Sequence, residues 1–203
     1  MPDPGDRTLT FTEQARRRQI VEGTVALMAE RGYAATSLSA IAERAGISKA
    51  AVLYHFASKD KVIEATLLHV YDGVVGVVGE RVGRAGDPVA MLVAYLRGLV
   101  EYMRDNPTHV RIIVEILGQD REGARERTAG SPDATSRWQA LAGILSAGQD
   151  TGQLRPFDIR VMALAIGGAI DGVVAEWLAD PDLDLDAAAD ELETAVLLAT
   201  RST

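Results

Sequence analysis

The sequence lacks cysteine altogether, and only three of its 203 residues are histidine. Without cysteine there is no disulfide framework, thiolate nucleophile or cysteine-ligated zinc site. The histidines, His55, His69 and His109, have no histidine three or four positions away that would complete a metal site on one helix face. No combination of nucleophile, base and orienting acid is recognisable, so the sequence predicts no enzyme, no metal and no cofactor.

Long apolar runs are also missing. The longest uninterrupted one covers residues 161–170 and ends at Asp171, which is too short to span a bilayer. Residues 1–10 are polar, include prolines and lack the apolar segment of a signal peptide. We therefore expect a cytoplasmic protein without a membrane-embedded part.

Positive charge is scarce over most of the chain. Residues 1–61 contain nine Lys or Arg and seven Asp or Glu (+2), whereas residues 62–203 contain twelve and twenty-two (−10), which together give the net charge of −8. Because phosphates attract Lys and Arg, this asymmetry is typical of a small module for a polyanion joined to an acidic body. Ordinary solvated surface explains it equally well.

Apolar residues recur at helical spacing throughout, and the period-two alternation of half-buried strands is almost absent. The pattern predicts an all-α fold. The predicted helices cover residues 12–31, 38–45, 49–55, 59–84, 88–105, 109–117, 136–149, 157–178 and 187–200.

Residues 36–56 predict a helix-turn-helix. Ser37 and Ser48 precede two short helices as N-caps, and Gly46 lies between the helices, where a positive φ would turn the chain. Ala42 is small where the helices would cross. The wedge between them would be filled by Ile41, Ala45, Ile47 and Val52. A plain corner between two helices is the alternative.

Residues 36–62 read TSLSAIAERAGISKAAVLYHFASKDKV and follow RGY at residues 31–33. This stretch resembles the N-terminal DNA-binding domain of the tetracycline-repressor (TetR) family. The resemblance covers about residues 14–64, and the remainder is similar in helical architecture only. It implies a three-helix DNA-binding domain in residues 1–60 and a helical ligand-binding and dimerisation domain in residues 61–203. It also implies a homodimeric regulator, usually a repressor, that a small-molecule effector releases from a palindromic operator.

The same resemblance assigns DNA contacts to eight residues. Base edges in the major groove are assigned to Lys49, Ala50 and Ala51, phosphates to Tyr54, His55 and Lys59, and the backbone or groove edge to Ser37 and Ser39. The chemistry of these side chains agrees with the assignment. A lysine can donate to guanine and an alanine can contact a thymine methyl, while tyrosine and lysine bind phosphates and so fix the position of the protein on the DNA.

One position departs from the family pattern. Many members have two consecutive aromatic residues before the His-Phe pair, and here the first of the two is Leu53. The contact usually made from that position is therefore in question. The three arginines at residues 16–18 are further candidates for phosphate contacts, with at least one of them expected on plain solvated surface.

Two sets of apolar residues predict further sites. Central helices rich in apolar and aromatic residues favour an apolar or aromatic effector, although such a stripe is more often simply core. The effector candidates are Tyr95, Leu99, Tyr102, Met103, Ile113, Leu117 and Trp138. The last two helices are more apolar than one small core requires, which predicts a symmetric interface between two copies. The interface candidates are Gly168, Gly172, Ala175, Leu192, Val196 and Ala199.

Three features leave alternatives open. Gly73, Gly76, Gly79 and Gly83 in the helix predicted over residues 59–84 either allow close helix crossing or form a soft segment that an effector bends. The acidic residues at 182, 184, 186 and 193 imitate a calcium loop, but residue 187 is alanine instead of glycine, which favours an acidic loop with Asp186 as N-cap. The competing function is a small helical binding protein or enzyme with a fortuitous helix-turn-helix.

Overall fold

The computed structural model describes residues 10–119 and 132–202, and for residues 119 and 132–138 it describes only the helical backbone. Outside its helices, this part of the chain has one isolated antiparallel bridge, between Leu154 and Arg201. The all-α prediction is confirmed. The helices are α1 (Phe11–Arg31), α2 (Leu38–Arg44), α3 (Lys49–His55), α4 (Lys59–Arg84), α5 (Pro88–Asp105), α6 (Pro107–Gln119), α7 (Pro132–Asp150), α8 (Ile159–Ala179) and α9 (Leu185–Thr200).

Polar N-caps explain where most helices begin. Thr10 and Glu13 form a reciprocal capping box at the start of α1. Asp87 caps α5, whose first residue is proline. Asp158 caps α8, so this helix begins at Ile159, two residues later than predicted. Each cap accepts hydrogen bonds from backbone amides that have no partner within the helix.

The cap predicted for the last helix was wrong. Asp184, not Asp186, caps α9, because its carboxylate accepts from the backbone amides of Asp186 and Ala187 at 3.0 Å each. The helix therefore begins at Leu185, a residue that packs into the core. Glu193, the last position of the calcium-loop alternative, accepts instead from Nε of Arg97 at 2.6 Å.

The chain divides into two compact units. The first runs to Val70 and includes Ile112–Gly118 from α6, and the second contains Tyr71–Arg111 and the chain from Gln119 onward. In the first unit, α1, α2, α3 and the start of α4 enclose one apolar cluster, and residues of α1, α4 and α6 form a smaller one. The buried members of the larger cluster are Ile20, Val21, Leu27, Ile41, Ala42, Ala45, Val52, Phe56 and Val62, and those of the smaller are Met28, Ile63, Val70 and Ile112.

The second unit has its own core. Its larger cluster joins α5, α7, α8 and α9 and contains Leu92, Leu96, Leu141, Leu145, Ile166, Ile170 and Val196 among its buried members. A smaller cluster contains Val100, Met103, Val110, Leu185 and Ala189. On its surface, Arg97 of α5 pairs with Asp190 and Glu193 of α9 at 2.7 and 2.6 Å. The apolar clusters are the main source of stability here, because exposed ion pairs contribute only about 0–1 kcal/mol each.

The four glycines of α4 do not share one role. A Cβ at Gly73 would lie 2.6 Å from the hydroxyl of Tyr102, which is too close, so Gly73 permits a tight contact between α4 and α5. A Cβ at Gly76, Gly79 or Gly83 would meet nothing within 4 Å. The close-crossing explanation therefore holds for Gly73, and α4 runs through all four positions without interruption.

Candidate nucleic-acid interface

The turn at Gly46 has the geometry of a helix-turn-helix. The glycine adopts φ +64°, and its amide donates to the carbonyl of Glu43 at 3.1 Å while that of Ile47 donates to Ala42 at 3.0 Å. These bonds satisfy carbonyls at the end of α2 and reverse the chain within two residues. Ser48 then caps α3 by accepting from the amide of Ala51 at 3.1 Å.

The side chains under this turn are the ones that the sequence predicted. Ile41 and Val52 have no exposed surface, and Ala42 and Ala45 are each 4% exposed where the two helices approach. Ile47 is partly buried against the same cluster. Apolar burial on one side therefore leaves the opposite side of α3 facing solvent.

Most of the residues assigned to DNA lie on that solvent side. Lys49 and Ala50 are exposed at the start of α3, and Tyr54 is 73% exposed near its end. Ala51, His55 and Lys59 are partly buried, whereas Ser37 and Ser39 are exposed. Leu53, the departure from the family pattern, is 40% exposed beside Tyr54, so it presents an apolar surface where an aromatic is usual.

Two of the residues assigned to DNA also have partners within the chain. The Ser37 hydroxyl accepts from the amide of Ala40 at 3.2 Å as the cap of α2, which leaves its proton for a phosphate oxygen. The ammonium of Lys59 lies 4.6 Å from the centroid of the Tyr33 ring. A cation over an aromatic face is held in place without losing its charge.

Sequence reasoning missed the contacts that join α1 to the helix-turn-helix. Gln19 donates from Nε2 to the carbonyl of Ala45 at 2.9 Å, and Arg17 donates to the carbonyl of His55. Arg44 of α2 forms two hydrogen bonds with Glu30, at 2.9 and 2.6 Å. These partners are 14 to 38 residues apart in the chain, so no local pattern announces them.

The chain is similar to known proteins over most of its length. Residues 20–66 match the family model of bacterial regulatory proteins of the tetR family. A probable HTH-type transcriptional regulator ArpR of Pseudomonas putida is 30% identical over 184 residues, which cover 83% of each chain. The chain belongs to the TetR family. The alternative of a fortuitous motif is wrong, because the similarity extends far beyond the helix-turn-helix.

Further TetR-family similarities span the same length. The HTH-type transcriptional regulator TtgR of Pseudomonas putida is 30% identical over 179 residues, 83% of each chain. A solved structure of a putative TetR-family transcriptional regulator from Rhodococcus sp. has a TM-score of 0.77 at 22% identity and covers 91% of this chain and 98% of that one. This protein is therefore a transcriptional regulator with an N-terminal helix-turn-helix and a helical C-terminal part.

The predicted effector residues of this TetR-family protein are distributed over separate clusters. Tyr95 and Leu99 pack at the edge of the largest core cluster, Met103 is buried in the smaller cluster of the second unit, and Ile113 packs in the first unit. Leu117 is partly buried, and the side chain of Trp138 lies outside the described residues. Two open depressions of about 500 and 470 Å³ are lined by other residues, among them Asp87 and Glu101.

Tyr102 is the candidate with the clearest polar contact. Its hydroxyl lies 2.7 Å from Nδ1 of His109, and the side chain is only 4% exposed. Burial raises the pKa of Tyr102 above its ordinary value, because desolvation disfavours the phenolate. The hydroxyl therefore stays neutral and takes part in hydrogen bonding.

The residues predicted for the dimer interface divide between surface and core. On α8, Gly168, Gly172 and Ala175 are exposed, next to Val161 and Leu164, which are 63% and 57% exposed. Since these five residues are spaced by three or four positions, they share one helix face. We refer to them as the α8 face.

The stripe predicted on α9 faces inward over part of its length. Val196 is buried in the larger cluster of the second unit, Leu192 packs against that cluster, and Ala199 is exposed. The large apolar side chain that α9 exposes is that of Leu198, at 82%. Periodicity shows which residues share a helix face, but it does not show which face is buried. Both faces of α9 contain apolar residues, and the predicted stripe is largely on the face that packs into the core.

Proposed function

We propose that this protein is an effector-responsive repressor that binds a palindromic operator as a homodimer in the cytoplasm, without catalysing a reaction. In this proposal, residues 1–60 bind DNA, and residues 61–203 bind the effector and form the dimer. The observation that carries it is the exposed side of α3, where Lys49, Ala50 and Tyr54 stand on a buried helix-turn-helix core.

The exposed residues of α3 divide by chemistry into base readers and phosphate anchors. The Lys49 ammonium donates to acceptors, and guanine presents two of them in the major groove. Ala50 and Ala51 suit a thymine methyl, and Tyr54 and Lys59 suit phosphate oxygens. Specificity would then come from the start of α3, and sequence-independent affinity from its end and from the start of α4.

The α8 face supports the homodimer. Only 17% of the apolar stretch of α8 is buried within the chain, and exposed apolar surface of this kind marks a contact site. A two-fold axis would pair the α8 face with itself and cover Leu198 of α9. Such a dimer would set two copies of α3 about 34–36 Å apart, one turn of DNA.

A bilayer is the other environment that would accept so apolar a helix, since α4 and α8 both have the length and composition of a membrane span. The flanks of the α8 face argue against it. Arg160, Asp171 and Glu176 are exposed there, and Asp171 lies near the middle of the helix. A charge at a bilayer centre costs about 2.5–3.5 kcal/mol. In a dimer, the same charges remain at the wet rim.

The effector is proposed to be apolar or aromatic, because the candidate residues in α5 are apolar or aromatic. Tyr102 with His109 would supply the polar contact that orients it. Release of the operator requires that the effector prefer the non-binding state by roughly 100-fold, which shifts the equilibrium by about 2.7 kcal/mol.

Selection from a random DNA library tests the proposal, and two single substitutions then separate its parts. Lys49→Ala is expected to relax base preference, with a loss of about 1–3 kcal/mol at the guanine that it reads. Lys59→Ala is expected to weaken binding to every sequence alike and to lower the salt slope by about 0.9 for one lost phosphate contact.

The two variants control for each other, since each removes one positive charge near α3. Equal sequence preference in wild type and Lys49→Ala would show that Lys49 does not read bases. Selection that enriches no sequence would overturn the proposed operator binding as a whole.

A further inference from the structure

Arg17 is the one residue of the arginine run at 16–18 whose guanidinium reaches α3 in the described contacts. It donates from a terminal nitrogen to the carbonyl of His55, the last residue of α3. Its guanidinium carbon lies 3.9 Å from the centroid of the Phe56 ring, directly after that helix. Phe56 is 2% exposed in the main cluster of the first unit, so the stacked cation rests on a fixed surface.

The end of α3 is where such a contact has most effect. The last carbonyls of a helix have no partner within it, and they carry the negative end of the helix dipole. A seven-residue helix is too short to be stable by itself, so its place depends on its neighbours. A guanidinium at its C-terminus satisfies a carbonyl, neutralises the dipole and ties α3 to α1 in one contact.

The neighbouring arginines have different surroundings. Arg16 donates to Oε1 of Gln19 on its own helix at 2.7 Å, and Arg18 is exposed. Phosphate binding requires a guanidinium that is accessible and not already held. Within the run, Arg17 therefore fits a phosphate contact least well and an internal contact best.

We infer that Arg17 is a positioning residue for the recognition helix: it sets the place of α3 through His55 and Phe56 and does not itself bind DNA. This inference rests on the proposed role of α3 in reading the operator. Tyr54 directly precedes the clamped residue, and Lys49 lies six residues earlier on the same rigid helix. A shift at the C-terminus of α3 therefore moves Lys49 out of register with the base edges, whereas sequence-independent attraction to phosphates tolerates such a shift.

The test compares Arg17→Gln with the wild type and with Arg18→Gln, which removes the same charge from the same helix without touching α3. Binding to the selected operator and to random DNA of equal length is measured over a range of salt, at a temperature where circular dichroism shows each variant folded. Arg17→Gln is expected to lose about tenfold in operator affinity relative to the wild type, while its binding to random DNA and its salt slope match those of the wild type.

Two results would overturn the inference. One is equal operator affinity in Arg17→Gln and the wild type, which would show that Arg17 does not position α3 for reading the operator. The other is an equal loss on operator and random DNA with a salt slope lower by about 0.9, which would make Arg17 a phosphate contact.

A lysine pair keeps the test valid if Arg17→Gln does not fold. Arg17→Lys keeps the charge but loses the planar stack on Phe56, so it should lose operator affinity severalfold relative to Arg18→Lys, and equality would contradict the inference. Lys49→Ala in the same assay separates the two proposals: if it loses sequence preference and neither Arg17 variant loses affinity, only the inference fails. If the wild type has no sequence preference, the proposed operator binding fails.

Discussion

Small residues have opposite surroundings in the helix-turn-helix and on the α8 face. Ala42 and Ala45 are 4% exposed where α2 approaches its neighbours, and their size lets two short helices of the same chain cross. Gly168, Gly172 and Ala175 are just as small, but they are exposed. The first group completes a core within the chain, whereas the second leaves a flat apolar surface beside Val161 and Leu164.

Residue type alone therefore does not distinguish a packing site from an association site. Both regions use small residues for close approach, and they differ in whether the approaching helix is in the same chain. The distinction follows from the neighbours that the fold supplies. Substitutions that enlarge one small residue at a time can therefore separate the roles.

The largest effect is expected on the α8 face. Gly168→Arg places a long cation in the middle of an apolar surface that would be buried in the dimer, and an unpaired buried charge is strongly unfavourable. We expect a monomer at micromolar concentration and a loss of operator affinity of about 100-fold or more, because two linked half-sites then bind separately. Sedimentation velocity and operator titration measure the two effects.

The matched control is Gly83→Arg on α4. Gly83 is also an exposed helical glycine whose Cβ would meet nothing within 4 Å, so this variant should remain dimeric. A dimeric Gly168→Arg, or a monomeric wild type, would show that the α8 face is not the interface.

A smaller effect is expected at Gly73, a partly buried residue of α4 that faces Tyr102 of α5. Gly73→Ala forces its Cβ against the Tyr102 hydroxyl at 2.6 Å, and overpacking of this kind lowers the free energy of unfolding by about 1–3 kcal/mol. Gly76→Ala, with nothing within 4 Å, should raise it by up to about 1 kcal/mol through helix propensity. Urea denaturation of both variants measures the difference.

Tyr102→Phe provides the internal control for that pair. It removes the clashing oxygen, and the remaining ring atoms lie 3.4 and 3.5 Å from the added Cβ. Gly73→Ala should therefore cost less in the Tyr102→Phe background than in the wild type. Equal costs in the two backgrounds would mean that the hydroxyl contact is not the reason for the glycine.

The smallest effect is expected at Gly46, whose role is conformational. Gly46→Ala keeps φ +64° at a cost of about 1 kcal/mol, because a Cβ disfavours the left-handed region even where no neighbour lies within 4 Å. Gly46→Asn should cost less, since asparagine tolerates this region. If alanine and asparagine lower the urea midpoint equally, backbone conformation does not explain the glycine.

The helix-turn-helix was predictable from the sequence because its determinants are local. Ser37 and Ser48 cap helices a few residues away, Gly46 turns the chain by its own φ, and the apolar spacing selects Ile41 and Val52 for the core. Each of these signals acts over less than three helical turns. The all-α class and most helix bounds follow from the same short-range rules. One exception, the cap of α9, arose among three alternating aspartates that offered several equivalent caps.

Only the tertiary structure decided which surfaces and contacts these helices make. The clamp of Arg17 on His55 joins residues 38 apart, and nothing in an arginine run distinguishes a cation that stacks on Phe56 from one in solvent. Likewise, the periodicity of α9 could not show that Val196 faces the core while Leu198 faces solvent. Local chemistry therefore determined which segments are helices and where they turn, whereas burial depends on neighbours that are distant in the chain and meet only when it folds.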